Sequence, residues 1–325
     1  MGQPAQYDLI SDKAVIGLFF SRYEGLIDSS WVSSIAVNFQ SNSAIEEYAG
    51  LGSAPQMREW IGGRLVKSLS EYSMSVRNKD WEATLGVFRK DLQRDKTGQL
   101  LIKIAEMAES AAGHDEKKLS EFIDVADGST LGTSYDGQYF FDTDHSIGDS
   151  GTINNDITVD ISALPIGDVT GMHGSTTAPS VGEAALVIQA GVQQMFGFKN
   201  DIGEPANHTM KQVMIMVPYT LMNAFEGALS LATFANGTSN PLMASTIGKS
   251  LVVNPRLTWT DRIAIFRTDS ANKPLLTQSE EGLVMETLGE GTEEAFKTGK
   301  HLYGLRKRCG YSYFDFTKAC LVTMT

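Results

Sequence analysis

From Gly98 to Ala126 the apolar residues return at intervals of three and four: Leu100, Ile104, Met107, Ala108 and Ala111, then Leu119, Phe122, Ile123 and Ala126. This is the face of an amphipathic helix. Gly113-His114-Asp115 interrupts it, which predicts one long helix with a bend or two helices nearly in line. Three shorter stretches repeat the period: Val15 to Ile27, Ser180 to Phe196, and a run opening at Pro218 with Leu221, Met222, Phe225 and Leu229. Between them lie segments of period two. Trp81, Ala83, Leu85 and Val87 alternate with Glu82, Thr84 and Gly86, as a half-buried strand does. Tyr72 to Val76 alternates as well, and Asn78-Lys79-Asp80 separates the two runs as a turn would. Val213 to Val217 reads as a fully buried strand, with further β candidates at Ile263 to Phe266 and Leu302 to Tyr311. Strands and helices follow one another without a βαβ rhythm, so the expected class is α+β. The Gly-, Ser-, Thr- and Asp-rich stretch 147–180 has little periodicity and is expected to be a long functional loop or a variable insertion.

Composition narrows the function. Among 325 residues, 42% are hydrophobic and 20% charged, enough apolar surface for a sizeable core. Lys+Arg of 27 against Asp+Glu of 39 leaves −12, which counts against a dedicated nucleic-acid binder. Cys309 and Cys320 are too few for a disulfide framework or a self-contained zinc site. The start MGQPAQYDLISDK lacks a signal-peptide pattern, and apolar runs such as 14–20 are too short to span a bilayer. The expectation is a soluble protein of a reducing compartment.

Catalytic patterns are weak. Asp142, Asp144 and His145 form the most metal-like cluster, and a metal-dependent hydrolase built on them is the rival reading. Positions 142 and 144 would share one side of a strand while His145 points elsewhere, so a solvated turn is the simpler account. His114-Asp115 and His208 look isolated. Gly289-Glu290-Gly291 lacks the surroundings of a nucleotide loop, and no hydrolase, protease or Walker-type motif occurs. Arg306-Lys307-Arg308, between Tyr303 and Tyr311, is the one dense basic run. It could touch nucleic acid, but an edge-strand guard or an ion-pair partner is the commoner use. The expectation is a protein that is not an enzyme and needs no cofactor or metal.

The stretch from Tyr48 to Arg94 adds a different kind of information. Leu51-Gly52, Pro55, Met57-Arg58-Glu59-Trp60 and Gly63-Arg64 precede the alternating runs, and Trp81-Glu82-Ala83-Thr84 follows. Further on come Tyr135-Asp136-Gly137-Gln138, Phe140-Phe141, His145, Val253-Asn254-Pro255-Arg256-Leu257, His301-Leu302-Tyr303-Gly304 and Arg308-Cys309-Gly310-Tyr311. In this order these residues, spread over most of the chain, resemble the Mu-like phage major head subunit family; the resemblance is weakest at about 147–180, where nothing matches.

The resemblance implies the Hong Kong 97-type phage major capsid fold. Its parts would be an N-terminal arm (1–55), an extended hairpin loop (56–92), a peripheral domain (93–149 and 255–325, with a spine helix at about 98–126) and an axial domain (150–254). It implies assembly as hexamers and pentamers into an icosahedral shell around double-stranded DNA, in the virion, built in the host cytoplasm. Portal and scaffolding proteins are implied partners, a decoration protein is an option, and no membrane is involved. Arg58, Glu59, Trp60, Arg64, Lys67 and Trp81 become the expected inter-subunit contacts. No signature pairs Lys67 or Lys79 with an asparagine for cross-linking. A scaffold would be more helical and charge-rich than a chain with 31 glycines, and a protease would show a catalytic set.

Overall fold

In the computed structural model, residues 12–49, 72–94, 98–164, 173–289 and 291–325 are described. The first half runs α1 (Asp12–Ile27), α2 (Val32–Ile35), β1 (Ala36–Gln40), β2 (Ile45–Ala49), β3 (Ser73–Arg77), β4 (Lys79–Phe88), α3 (Arg89–Arg94), α4 (Gln99–Ala112) and α5 (His114–Asp124). The second half runs β5 (His145–Ser146), β6 (Thr152–Ile153), β7 (Asp156–Val159), α6 (Val181–Phe196), β8 (Gln212–Val217), α7 (Met222–Ser230) and β9 (Gly248–Val253). It ends with β10 (Arg262–Arg267), β11 (Leu275–Leu288), α8 (Glu293–Thr298), β12 (Lys300–Tyr313) and β13 (Ala319–Met324).

Two sheets organise these elements. One has the order β1-β11-β12-β4, the other β7-β13-β10-β8-β9. The long helical period ends at Ala112 and resumes at His114, so α4 and α5 follow each other across Gly113. Leu100, Ile104 and Ala108 of α4 join Val15 and Phe19 of α1 against Tyr303 and Leu305 of β12, a small core on one face of the first sheet. The larger core gathers α5, α6 and α7 on the second sheet. There Val213 to Val217 of β8 are all buried, as the unbroken apolar run requires of an interior strand.

Helix α6 begins where its sequence says it should. Ser180 accepts from the Glu183 amide while the Glu183 carboxylate accepts from Ser180 N, a reciprocal capping box. Pro218, where the sequence opens a helix, stands just before a single 3-10 turn at Tyr219–Leu221, and α7 follows.

Three expectations need correction. The runs 73–77 and 79–88 are not partners in one hairpin: β3 pairs antiparallel with β2, and β4 pairs with β12 from Lys79 to Phe88. Strand β4 is therefore an edge strand of the first sheet. Alternation reports a half-buried strand without naming its partner. The half-buried side chains Leu85 and Val87 rest on the α1–α4 core. Asn78 closes no tight turn; its amide group donates to Ser41 Oγ at 3.0 Å and Ser43 O at 2.8 Å.

Nor does 255–325 return to one place. Strands β11 and β12 enter the first sheet, while β10 and β13 occupy the middle of the second. Third, part of the aperiodic stretch 147–180 is regular structure, since β7 lies parallel to β13 at the sheet's edge. An edge strand of four residues leaves too short a pattern to read.

Candidate assembly site

Strands β2 and β3 form a separate two-stranded ribbon, with Ile45 opposite Arg77 and Ala49 opposite Ser73. Among the described residues no third strand pairs with it. The chain from 50 to 71 links its outer ends. Arg58, Glu59, Trp60, Arg64 and Lys67 fall within that link and so lie outside the described residues. Trp81, the sixth expected contact, is already engaged by its own chain. Its indole meets the His114 ring edge-on at 4.8 Å, and Lys118 Nζ stands 4.7 Å over its face. Lys79 is exposed at the start of β4.

The basic run is likewise used internally. Arg306 pairs with Glu281 at 2.9 Å, and Arg308 with Asp80 at 2.6 Å and Glu280 at 2.8 Å. These pairs tie β4, β12 and β11 together across one face of the first sheet. Lys307 points to the other face and donates to both Asp115 oxygens, at 2.6 and 2.8 Å. Its cations thus serve as ion-pair partners within the chain.

Around Lys307 sits a cluster that the sequence scattered: His114 and Asp115 at the start of α5, Cys309 and Tyr311 on β12. His114, Asp115 and Cys309 present their ligand atoms within 4.8 Å of one another. The Tyr311 hydroxyl fills the space between them, donating to Asp115 and lying 3.1 Å from His114 Nδ1 and 3.2 Å from Cys309 Sγ. Burial opposes ionisation of Asp115. The neighbouring His114, the Lys307 charge and hydrogen bonds from Lys307 and Tyr311 outweigh it and hold the carboxyl far below its usual range. Burial, then the Asp115 charge, pushes the Tyr311 phenol far up, and burial raises the Cys309 thiol. The group is thus a neutralised polar clasp between α5 and the first sheet. No spacing rule could have found it, because about 195 residues of chain separate its halves, as Lys307 and Asp115 illustrate with a separation of 192.

The residues of the rival hydrolase reading diverge. His145 is fully buried, bonds Asp136 through Nδ1 at 2.7 Å and stacks on Phe316 at 3.8 Å. Asp142 accepts from the backbone amides of Tyr139 and Thr143, closing a local turn, while Asp144 is exposed. Nothing brings Asp142, Asp144 and His145 to one point, and the metal site expected by that reading does not form.

The segment Val253 to Leu257 proves to be a junction. Asn254 is buried and donates to Ser120 Oγ at 2.8 Å, and its Oδ1 accepts from Arg256 N. Just beyond, Thr258 N and Trp259 Nε1 donate to Asp124. Together they fasten the end of β9 to α5, and so the second sheet to the helix pair of the first.

Comparison with known proteins bears on this architecture. Residues 18–163 match the model of the Mu-like prophage major head subunit gpT. That segment, somewhat under half of the chain, is similar to the Mu-like prophage major head subunit family. The "Mu-like prophage FluMu major head subunit" of Haemophilus influenzae is 35% identical over 120 residues, covering 37% of this chain and 38% of its own length. The "Major capsid protein" of Escherichia phage Mu is 33% identical over 124 residues, covering 38% and 40%. The alignments thus span about two fifths of these relatives. Among solved structures, the procapsid of bacteriophage JBD30 superposes with a TM-score of 0.52 at 20% identity, over 96% of this chain and 74% of that one. The capsid of cyanophage P-SCSP1u gives 0.52 at 11% identity, over 89% and 86%. The fold is the phage capsid fold of the Hong Kong 97 type, mixed in helices and sheets.

Proposed function

We propose that this chain is the major capsid protein of a Mu-like phage or prophage, assembling with copies of itself into the icosahedral head around double-stranded DNA. The observation that carries the reading is the joint one: a head-subunit family match in residues 18–163 and a capsid fold along 96% of the chain. Both named relatives are head or capsid subunits, which supports a structural role over a catalytic one. Hexamers and pentamers are the expected capsomers, with repeated contacts multiplying a modest pair energy over the shell. Portal and scaffolding proteins, with a decoration protein as an addition, are the partners the resemblance implies. Assembly would take place in the bacterial cytoplasm.

Among the described residues β2 and β3 pair with no third strand, which supports an extended loop that reaches a neighbour beyond the ribbon's seat on the first sheet, because two strands alone are marginal in water. Arg58, Glu59, Trp60, Arg64 and Lys67, at its far end in sequence, are the contacts we assign to that crossing. Trp81 stays in the set as a half-buried contact at the start of β4, its ring backed by His114 and Lys118 of its own chain. Negative-stain microscopy of the expressed chain tests the reading. Shells, tubes or capsomers are expected; a protein that stays monomeric at high concentration, with and without a co-expressed scaffold, would overturn it.

A further inference from the structure

The ribbon has a seat. In the first sheet Phe39 of β1, Gln278 of β11 and Gly310 of β12 stand side by side in register, so the three present one face. Both strands of the ribbon touch that row. Tyr48 of β2 lays its ring 5.1 Å from Phe39 and donates its hydroxyl to Gln278 Oε1 at 2.7 Å. Gln278 Nε2 in turn donates to Val76 O of β3 at 3.5 Å. One fully buried amide thereby holds both strands of the ribbon. Next to it, Val76 and Arg77 sit where a side chain at 310 would be: a Cβ there would lie 2.8 Å from Arg77 O and 3.0 Å from Val76 Cγ1.

We infer that Gln278 and Gly310 are positioning residues for assembly: they form a notch that sets the direction in which the β2–β3 ribbon leaves the subunit. The inference rests on the shell-subunit reading above and names the residues that aim its extended loop. Without the notch the ribbon would be anchored by its covalent ends and by the bonds of Asn78 to Ser41 and Ser43. A polar side chain is used because it can bind a hydroxyl on one strand and a carbonyl on the other. A leucine of similar size could do neither and would strand the Val76 carbonyl. Glycine at 310 lets the β3 backbone approach the sheet more closely than any other residue allows.

The test uses the full chain with Gln278→Leu, Gly310→Ala and, as the mildest variant, Tyr48→Phe, which deletes one hydroxyl. Hydrogen exchange on the soluble subunit should show the amides of Ile45–Ala49 and Ser73–Arg77 exchanging about tenfold faster in Gln278→Leu. Tyr48→Phe should move the same amides less. The double variant Tyr48→Phe/Gln278→Leu should exceed Gln278→Leu little, because the one bond that Tyr48→Phe removes is already lost with Gln278. Gln278→Glu keeps the acceptor for Tyr48 and should fall between. Amides of α4 and β8 should not change, which separates aiming from general stability. By microscopy the variants should give shells of broadened diameter or open sheets where the parent gives closed ones. Ribbon exchange and particle diameter identical to the parent's in both Gln278→Leu and Gly310→Ala would overturn the inference. A parent that forms no shells would instead count against the shell reading, and exchange on the subunit would still decide the seat.

Discussion

Lys307 and Asp115 show what a single charge does when most of its water is removed. Lys307 is nearly buried and Asp115 about a third exposed, so their attraction is screened less than that of a surface pair. Replacing Asp115 with Asn keeps the shape but leaves Lys307 without its counter-charge, a loss of about 1–3 kcal/mol. The pH dependence has a definite sign. A carboxyl held below its ordinary value stabilises the fold above about pH 4, and that stabilisation drains away as the pH falls further. Thermal melting of the parent and Asp115→Asn should therefore show a gap at pH 7 that narrows below about pH 4. A gap of equal size at pH 7 and pH 3 would mean that Asp115 acts through packing rather than charge.

At the scale of elements, α6 lies so close to the second sheet that Gly191 has no room for a methyl group. A Cβ there would stand 2.6 Å from Ile265 Cδ1 and 2.8 Å from Val322 Cγ2. Gly191→Ala should destabilise by about 1–3 kcal/mol, read as a lowered midpoint in urea, and Ile265→Val, which deletes the nearer carbon, should recover part of it. If Gly191→Ala melts like the parent, the helix can shift freely and the packing is looser than drawn. Elements were legible in the sequence where one period ran long enough. The helices at 15–27, 98–126 and 180–196 and the strands at 81–87 and 213–217 all occur near the expected places. Their partners were not legible. Period two says which face of β4 is wet and nothing of whether β3 or β12 lies beside it, since hydrogen bonds between backbones carry no side-chain signature. The site was less legible still: the resemblance pointed to residues 58–67, whereas Tyr48, Gln278 and Gly310 meet only once the sheet has formed.

The whole molecule carries a net charge of −12, and the proposed shell would bring many copies together. Like charges of this size raise the work of association at low ionic strength, when the Debye length is about 30 Å at 0.01 M salt, and less at physiological salt, where it is about 8 Å. Against this general repulsion would stand the local attractions proposed for Arg58, Glu59 and Arg64 and the apolar contact proposed for Trp60. Exposed ion pairs give only about 0–1 kcal/mol each; burial of a large apolar side chain gives about 1.5–3 kcal/mol and is not screened. On the proposed contacts the apolar term and the repulsion would decide the sign, and the pairs would decide register. Assembly yield, followed by light scattering from dissociated subunits, should rise between about 0.01 and 0.15 M salt. In Trp60→Ala the subunit should remain soluble and folded while the yield drops at every salt concentration. Glu59→Lys lowers the net repulsion yet misplaces a charge at the crossing, so it should give folded subunits and irregular particles. A parent yield that falls with salt would mean that charge pairing, rather than Trp60, drives association, and Glu59→Lys would then abolish assembly where Trp60→Ala only slows it.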